Sequence, residues 1–413
     1  MNFDEKLIML YGEDALDEQK KRYAEAEEKF VQLFGRHDNM RIFSAPGRTE
    51  VGGNHTDHNN GCVLAAAVDL DAIAFVIPTD DNIVEIKSEG FEIAPVDLND
   101  LSVHESEFGT SEGLIRGVAA GLKNEGCNIC GFKAYSTSSV LGGSGLSSSA
   151  AFEVLIGTVM SYLCNDGAIS SVKIAQIAQY AENVYFGKPS GLMDQMASSV
   201  GGFITIDFKD TKNPVIDTVG FDFASNGYSL CIVDTKGSHA DLTPDYAAIP
   251  EEMKSVARFF GAETLRSITK SQLIESIADV RKECGDRAVA RAFHFLDESD
   301  RATAEFEALK NNDINKFFRL VNASGNSSYK YLQNIYPLKK PEEQALVLGL
   351  YTAETVLDGK GACRVHGGGF AGTIQAFVPA DKIGQFTESM ENVFGKGSCY
   401  KLYIRPVGGY CVR

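Results

Sequence analysis

The sequence Val-Leu-Gly-Gly-Ser-Gly-Leu-Ser-Ser-Ser-Ala-Ala, from Val140 to Ala151, decides how the rest of the chain is interpreted. Its three glycines have no Cβ, so the backbone there can curve tightly and approach a ligand closely. The mostly apolar residues that follow, up to Met160, predict a buried helix. A glycine loop that leads into a helix directs several N–H groups and the positive end of the helix dipole at one point, which suits a phosphate.

The loop is not a Walker A motif, because it contains no Lys and does not match G-x-x-x-x-G-K-[ST]. On its own, a Gly/Ser turn before a helix is as consistent with an ordinary helix cap as with a phosphate site. The choice between the two depends on two other segments of the chain.

Composition bounds the possible classes of protein. With 413 residues, 44% of them hydrophobic, the chain can bury a large core, and we expect two domains. No run approaches the roughly 18 apolar residues that span a bilayer, and the acidic N-terminus has no signal-peptide core. The net charge of −17 argues against nucleic-acid or anionic-membrane partners, and it requires local groups to capture any anionic ligand.

The nine cysteines indicate a reducing compartment. They are scattered singly apart from Cys127 and Cys130, and an odd count without metal-like spacing favours free thiols in a cytoplasmic protein. We interpret the single C-x-x-C as chance, because no second Cys/His pair completes a zinc site.

Hydrophobic periodicity predicts a mixed α+β chain with a composition shift near residue 210, and hence domains at 1–210 and 211–413. The N-terminal part is expected to form a helix over Asp14–Phe34 and a strand that is broken by Pro46-Gly47. Two separate strands are expected at 62–68 and 72–77, and a helix at 172–185.

The segment from Arg48 to Gly61 is rich in side chains that can hydrogen-bond. His55, Asp57 and His58 lie on a loop bounded by glycines. A solvated loop with turn hydrogen bonds is one interpretation. A site for a polyhydroxylated ligand is the other, because sugar hydroxyls need donors and acceptors in fixed positions.

Two later segments carry similar residues. Asp194 follows a glycine-containing turn at the start of an apolar helix, where a first-turn Asp is also favoured by the dipole alone. Glu182 lies twelve residues upstream and by default would be a surface acid. A second glycine-rich loop, from Arg364 to Gly372, lies between predicted strands and could also be a bulge.

Together these segments resemble the three motifs of the GHMP kinase family, in order and in rough spacing. The motifs are Pro46-Gly-Arg with His55-Thr-Asp57, Gly143-Ser-Gly-Leu-Ser-Ser-Ser-Ala150, and Gly367-Gly-Gly-Phe370. The first segment is similar to the galactokinase signature, and the resemblance covers nearly the whole chain. It implies a two-domain α+β GHMP-kinase fold with the active site in the cleft between the domains.

The resemblance also implies a reaction, a sugar 1-kinase that uses ATP and Mg²⁺, and a set of residues. Asp194 corresponds to the catalytic base and Arg48 to the residue that stabilises charge at the reaction centre. The implied sugar contacts are Asn54, His55, Thr56, Asp57 and Tyr246. The implied nucleotide contacts are Ser88, Gly143, Ser144, Gly145, Leu146, Ser147, Ser148 and Ser149. The implied Mg²⁺ ligands are Ser149 and Glu182.

Two departures from the galactokinase pattern concern the sugar. Asn54 stands where galactokinases usually carry a Glu that meets the C6 hydroxyl, and Ile249-Pro250 replaces a basic pair after the sugar-binding Tyr. A neutral Asn would not repel a carboxylate at C6, so galacturonate is an alternative substrate to galactose. A third possibility is a non-catalytic sugar sensor, although such relatives lose residues of the serine loop that this chain keeps.

Overall fold

The computed structural model describes residues 1–140, 145–238 and 241–413. In these ranges the helices are α1 (Phe3–Tyr11), α2 (Leu16–Phe34), α3 (Ser111–Asn124), α4 (Ser148–Cys164), α5 (Ser171–Tyr180), α6 (Met193–Val200), α7 (Thr243–Phe259), α8 (Lys270–Glu275), α9 (Ile277–Cys284), α10 (Asp286–Lys310), α11 (Ile314–Ser327), α12 (Ala345–Leu357) and α13 (Ile383–Phe394). The strands are β1 (Arg41–Gly52), β2 (Cys62–Pro78), β3 (Ile83–Ser88), β4 (Val96–Asp97), β5 (Phe132–Ser138), β6 (Phe203–Asp207), β7 (Val215–Val219), β8 (Tyr228–Asp234), β9 (Ala362–His366), β10 (Thr373–Pro379), β11 (Cys399–Leu402) and β12 (Tyr410–Cys411).

The first sheet is organised around the long strand β2. Its order is β12-β1-β2-β5-β3-β4, with β6 paired to β2 and β7 paired to β6. The first half of β2, from Cys62, pairs with β6, and the second half, from Ala72, pairs with β5. β2 can serve both partners because 14 of its 17 residues, in an almost continuous apolar run, are buried. Helix α4 packs on β1 and β2.

The second sheet has the order β11-β8-β10-β9, and all three pairings are antiparallel. Helix α12 covers β9 and β10, while α10 packs on β2 of the first sheet. A shared apolar core joins the two parts, because Leu64 and Phe203 of the first sheet cluster with Leu230, Phe317 and Phe377. The two sheets are therefore held together by burial of apolar area, and β9 of the second sheet contacts β1 of the first.

The predicted strand break at Pro46-Gly47 is wrong. β1 continues through both residues to Gly52, and its register against β2 shifts between Pro46 and Arg48. A β-bulge lets Pro stay within a strand and turns the next side chain to a new direction. The two strands expected at 62–68 and 72–77 form the single strand β2.

The helix expected at 172–185 changes type before its end. α5 runs to Tyr180, and residues Ala181–Tyr185 form one π-helical turn. The wider turn carries Glu182, which is 2% exposed. π-turns within helices are frequent at functional sites because they redirect one side chain. The helix predicted to end at Phe34 does so, and Gly35 follows it with φ 84°.

The predicted α+β composition is confirmed, while the domain boundary at residue 210 stays a prediction. β7 and β12 both follow residue 210, yet they pair with strands of the first sheet. Across the ranges that the structure describes, none of the helices combines the length and the apolar character needed to cross a bilayer.

Candidate active site

An arginine–aspartate ion pair lies where β1, α4 and α6 meet. Arg48 Nε donates to Asp194 Oδ1 at 2.7 Å, and Arg48 Nη2 donates to Asp194 Oδ2 at 2.8 Å. This fork geometry fixes the plane of the carboxylate. The Arg48 side chain is 9% exposed, whereas the Asp194 side chain is 31% exposed. The carboxylate is therefore held from one side and open on the other.

The pair keeps Asp194 ionised. Burial alone would raise the pKa of Asp194, but the charge and hydrogen bonds of Arg48, with a hydrogen bond from Ser147, hold that pKa below its usual value. An opposite charge at hydrogen-bond distance favours the charged form of a carboxyl group. Asp194 is thus an anion that can accept a proton.

The glycine–serine loop is attached to the same arginine. Arg48 N donates to Leu146 O at 3.0 Å, and Arg48 Nη1 donates to Gly145 O. Ser147 precedes α4 with φ 57°, so the chain turns sharply into the helix that begins at Ser148. The N-terminus of α4 and the ion pair therefore share one corner of the molecule. Gly143 and Ser144, which the sequence predicts as nucleotide contacts, lie outside the described residues.

The two predicted Mg²⁺ ligands are brought together. Ser149 Oγ donates to Glu182 Oε1 at 3.0 Å, and Gln195 Nε2 donates to Glu182 Oε2 at 2.7 Å. Gln195 also bonds Glu153, a fully buried acid whose pKa is raised by burial and by the nearby Glu182 charge. We call Arg48, Ser149, Glu182 and Asp194 the catalytic corner.

The oxygen donors of the catalytic corner fit Mg²⁺ that is shared with a substrate. Mg²⁺ is usually held by one or two protein oxygens together with substrate phosphates and waters. In the described part of the chain, no set of three or more His, Cys, Asp or Glu side chains is arranged to hold a metal. A hydroxyl and a carboxylate 3.0 Å apart, at a helix N-terminus, are consistent with such a shared site.

A lysine that the sequence analysis did not select, Lys188, lies beside Glu182 of the catalytic corner. Lys188 Nζ lies 2.8 Å from Glu182 Oε1, and the Lys188 side chain is 60% exposed. The glycine–serine loop contains no Lys, so a basic group was not expected beside it. The available signal was the position of Lys188, six residues before Asp194 in the same turn-rich segment.

Two of the predicted sugar contacts, His55 and Tyr246, lie at the second glycine-rich loop, and a third, Asp57, lies beside the turn before α6. His55 Nε2 bonds Gly368 O at 2.9 Å, and burial lowers the pKa of His55 to about 4, so the ring is neutral at pH 7. Tyr246 OH donates to Gly369 O at 2.9 Å. Asp57 lies against the turn before α6, because a Cβ on Gly191 would be 2.5 Å from Asp57 Oδ2. Asp57 and Asp194 therefore face the same region.

Asn54 and Thr56 are fully buried and bonded to protein groups. Asn54 Nδ2 donates to Glu50 Oε1 at 2.8 Å and to Gly367 O at 2.7 Å, while Asn54 Oδ1 accepts from Asn334 at 2.9 Å. The Thr56 hydroxyl contacts the carbonyls of Gly53 and Cys62. The structure thus does not bring these two side chains to the open space beside Asp194.

Asn54 is also part of a polar cluster that the sequence analysis missed. We call Glu50, Asn54, His294, Glu298 and Arg364 the buried network. Glu298 Oε1 accepts from Gly53 N at 3.2 Å and from Asn54 N at 3.3 Å. Burial opposes the charge of Glu298, but interactions with the neighbouring His294, Arg301 and Arg364 hold its pKa at about 2.

Arg364 connects the second sheet to β1 through the buried network. It is 0% exposed, and it donates to Glu50 Oε1 and to Val51 O, both at 2.8 Å. Periodicity could not reveal these contacts, because the partners are more than 200 residues apart along the chain.

Ser88, the predicted nucleotide contact with the weakest motif, is the last residue of β3. It pairs with Ser136 on β5, the strand that leads toward the glycine–serine loop. Its contact with a nucleotide stays a prediction.

Two protein families match parts of this chain. The galactokinase galactose-binding signature matches residues 28–78, and the GHMP kinase N-terminal domain matches residues 113–202. A mevalonate kinase structure that is 15% identical aligns with a TM-score of 0.60 over 88% of this chain and 98% of its own, which supports the fold alone. Fold and site thus define the chain as a kinase of the GHMP class.

The similarity to one branch of that class is much higher. A galactokinase from Actinobacillus pleuropneumoniae serotype 5b is 32% identical over 87% of this chain and 90% of its own length. A galactokinase from Streptomyces coelicolor is 29% identical over 89% and 92%. The crystal structure of Lactococcus lactis galactokinase complexed with galactose is 25% identical, with a TM-score of 0.77 over 93% of this chain and 98% of that one. The chain belongs to the galactokinase family, and it is a phosphotransferase that acts on an alcohol group.

These relatives decide between the alternatives left open by the sequence. The matched proteins are galactokinases, and one of them is in complex with galactose. Neither galacturonate as the substrate nor a non-catalytic sensor is favoured by them.

Proposed function

We propose that this protein transfers the γ-phosphoryl group of ATP to the C1 hydroxyl of D-galactose. The observation that carries the proposal is the forked Arg48–Asp194 ion pair beside the N-terminus of α4. Phosphoryl transfer needs an attacking hydroxyl aligned with the γ-phosphate, together with positive charge around the transferring group. The catalytic corner offers an ionised acid, a fixed guanidinium and a helix start within one small region.

Asp194 is the proton acceptor in this proposal. Its open side can meet the C1 hydroxyl, and its lowered pKa keeps it deprotonated at neutral pH. Arg48 holds the carboxylate in one orientation and stabilises negative charge as it develops. Because the Arg48 side chain also donates to Gly145 O and its backbone N donates to Leu146 O, this residue links the base to the phosphate-binding loop.

The nucleotide is expected along the glycine–serine loop. The N–H groups at the start of α4, from Ser147 to Ser149, support an anion there, and Gly145 and Leu146 shape the approach. Ser149 and Glu182 would hold Mg²⁺, which when bound neutralises charge on the phosphates. Ser88, Gly143 and Ser144 remain proposed nucleotide contacts from the family motif.

The sugar is expected between Asp57 and Asp194. His55 and Tyr246 are both bonded to the loop at Gly368 and Gly369, which supports a wall of the sugar site built from that loop. For Asn54 and Thr56 the contacts support a role in shaping the segment, because their side-chain groups are used within the protein.

The test is phosphorus NMR of the purified protein with MgATP and galactose. We expect ADP and a sugar phosphate whose phosphorus couples to the anomeric proton. Phosphate on another hydroxyl, or ATP consumption that does not depend on galactose, would contradict the proposal.

A further inference from the structure

Lys188 carries an exposed charge on a fixed backbone. Lys188 N donates to Glu182 O at 3.1 Å, and Ser190 N donates to Asn183 Oδ1 at 2.6 Å. Gln179 Nε2 also donates to Ser190 O at 3.0 Å. The turn is therefore attached to α5 and its π-turn, while 60% of the Lys188 side chain reaches solvent. A lysine stem that is anchored at one end can move its ammonium group between nearby anions.

The ammonium group of Lys188 lies beside the start of α4. Glu182 Oε1 is 2.8 Å from Lys188 Nζ and 3.0 Å from Ser149 Oγ, so Nζ lies within about 6 Å of that hydroxyl. Any phosphate that is bound by the α4 N-terminus therefore comes within the range of this positive charge.

Arg48, the second cation of the region, cannot move between anions as Lys188 can. Arg48 is 7% exposed, and its three guanidinium nitrogens are engaged with Asp194 and Gly145. Glu182 and Asp194 place two carboxylates in this region, on a chain whose net charge is already −17. A triphosphate would meet repulsion from these carboxylates, and a mobile cation would reduce it together with Mg²⁺.

We propose that Lys188 binds the terminal phosphates of the nucleotide, and that its ion pair with Glu182 is the partner it leaves when nucleotide binds. The inference rests on the proposed function, because it needs a triphosphate at the α4 N-terminus. It assigns to this chain a positive phosphate contact from the turn before α6, outside the glycine–serine loop. Exchange of one anionic partner for another leaves the charge of Lys188 balanced in both states.

Isothermal titration calorimetry with the non-hydrolysable ATP analogue AMP-PNP in Mg²⁺ tests the proposal without turnover. Lys188→Met should weaken AMP-PNP binding roughly tenfold, as expected for a partly exposed hydrogen bond between charged groups. Binding of AMP, which lacks the terminal phosphates, should change less than about twofold by the same reasoning. Lys188→Arg should restore most of the affinity, because it keeps the charge.

The matched control is Lys173→Met. Lys173, on helix α5, forms a similar exposed pair with Glu125 at 2.9 Å, and its partner is not one of the residues of the catalytic corner. This variant should bind AMP-PNP as the wild type does. If Lys188→Met binds AMP-PNP equally well or more tightly, Lys188 is only the resident partner of Glu182, and the proposal is wrong.

A parallel assay separates the two proposals. If the wild type phosphorylates galactose while Lys188→Met keeps wild-type AMP-PNP affinity, only the role of Lys188 fails. If the wild type binds no AMP-PNP, the proposed function and the role of Lys188 fail together.

Discussion

The catalytic corner and the buried network are built from the same residue types but differ in what their charged groups contact. In the catalytic corner, Asp194 is held by Arg48 and its side chain is 31% exposed. In the buried network, Glu298 is 0% exposed and accepts from two backbone N–H groups, from Ser324 and from Arg301. One carboxylate can still meet a substrate, whereas the other has its bonding capacity used within the protein.

This difference indicates that the two regions have different roles. A buried, fully bonded charge fixes the shape of the chain around it, and its removal is costly because its partners are left unsatisfied. A carboxylate with one open side can take part in chemistry. We therefore expect changes in the catalytic corner to act on turnover, and changes in the buried network to act on stability.

Replacement of Arg48 should have the largest effect on turnover. In Arg48→Met, loss of a fixed positive group at the reaction centre should lower kcat by about 10²- to 10³-fold. Burial would then raise the pKa of Asp194, since Arg48 no longer opposes it, so the acid limb of the pH–rate profile should move to higher pH. The profile of kcat against pH measures both effects.

Arg22→Met is the matched control for this change. Arg22 Nη1, on α2, pairs with the buried Asp71 Oδ1 of β2 at 2.7 Å. It should lower the free energy of unfolding and leave the acid limb in place. An acid limb that is unmoved in Arg48→Met would remove Arg48 from its role toward Asp194.

A change at Asn54 should affect stability more than sugar choice. Asn54→Asp loses two donated hydrogen bonds and puts a carboxylate beside Glu50, which should lower the free energy of unfolding by about 1–3 kcal/mol. The ratio of kcat/KM for galactose to that for galacturonate should stay constant. Chemical denaturation and the two sugar assays measure these quantities.

The opposite result at Asn54 would support the sugar contact that the family motif implies for this residue. If Asn54→Asp keeps its stability and loses activity on galacturonate alone, its side chain faces C6 of the sugar. Like-charge repulsion in a partly desolvated site would explain that pattern.

The smallest of these effects is expected at Ser149. Ser149→Ala removes one oxygen that lies 3.0 Å from Glu182, so the Mg²⁺ concentration for half-maximal activity should rise, by roughly tenfold for one lost ligand oxygen of several. Ser102→Ala, which removes an exposed hydroxyl bonded to Asp100, serves as the control. Equal Mg²⁺ titrations for the two variants would mean that the metal binds elsewhere.

The sequence was informative where function depends on local chain geometry. Ser149 at the start of α4 and Asp194 at the start of α6 belong to local patterns, and the structure brings both residues to the catalytic corner, while their roles stay predictions. The continuation of β1 through Pro46 was missed, because a bulge depends on the register with β2 rather than on local propensity.

Long-range contacts account for the remaining differences. Arg364 reaches β1 from more than 300 residues away, and Glu298 reaches Gly53 across 245 residues. No periodicity links such positions, so the burial of Asn54 could not be read from its own segment. The sequence motif identified Asn54, but its hydrogen-bond partners could be identified only from the folded structure.

The most direct test of the contrast between the two regions is kcat per folded molecule in two variants that each change an acid to its amide. We expect Asp194→Asn to lower kcat by at least about 10²-fold, because the proton acceptor is lost. We expect Glu298→Gln to unfold more readily. Its folded fraction should keep a kcat within about threefold of the wild type, because the Glu298 side chain is 0% exposed and cannot meet a substrate. Wild-type turnover in Asp194→Asn, or an equal loss in the folded fraction of Glu298→Gln, would contradict the account.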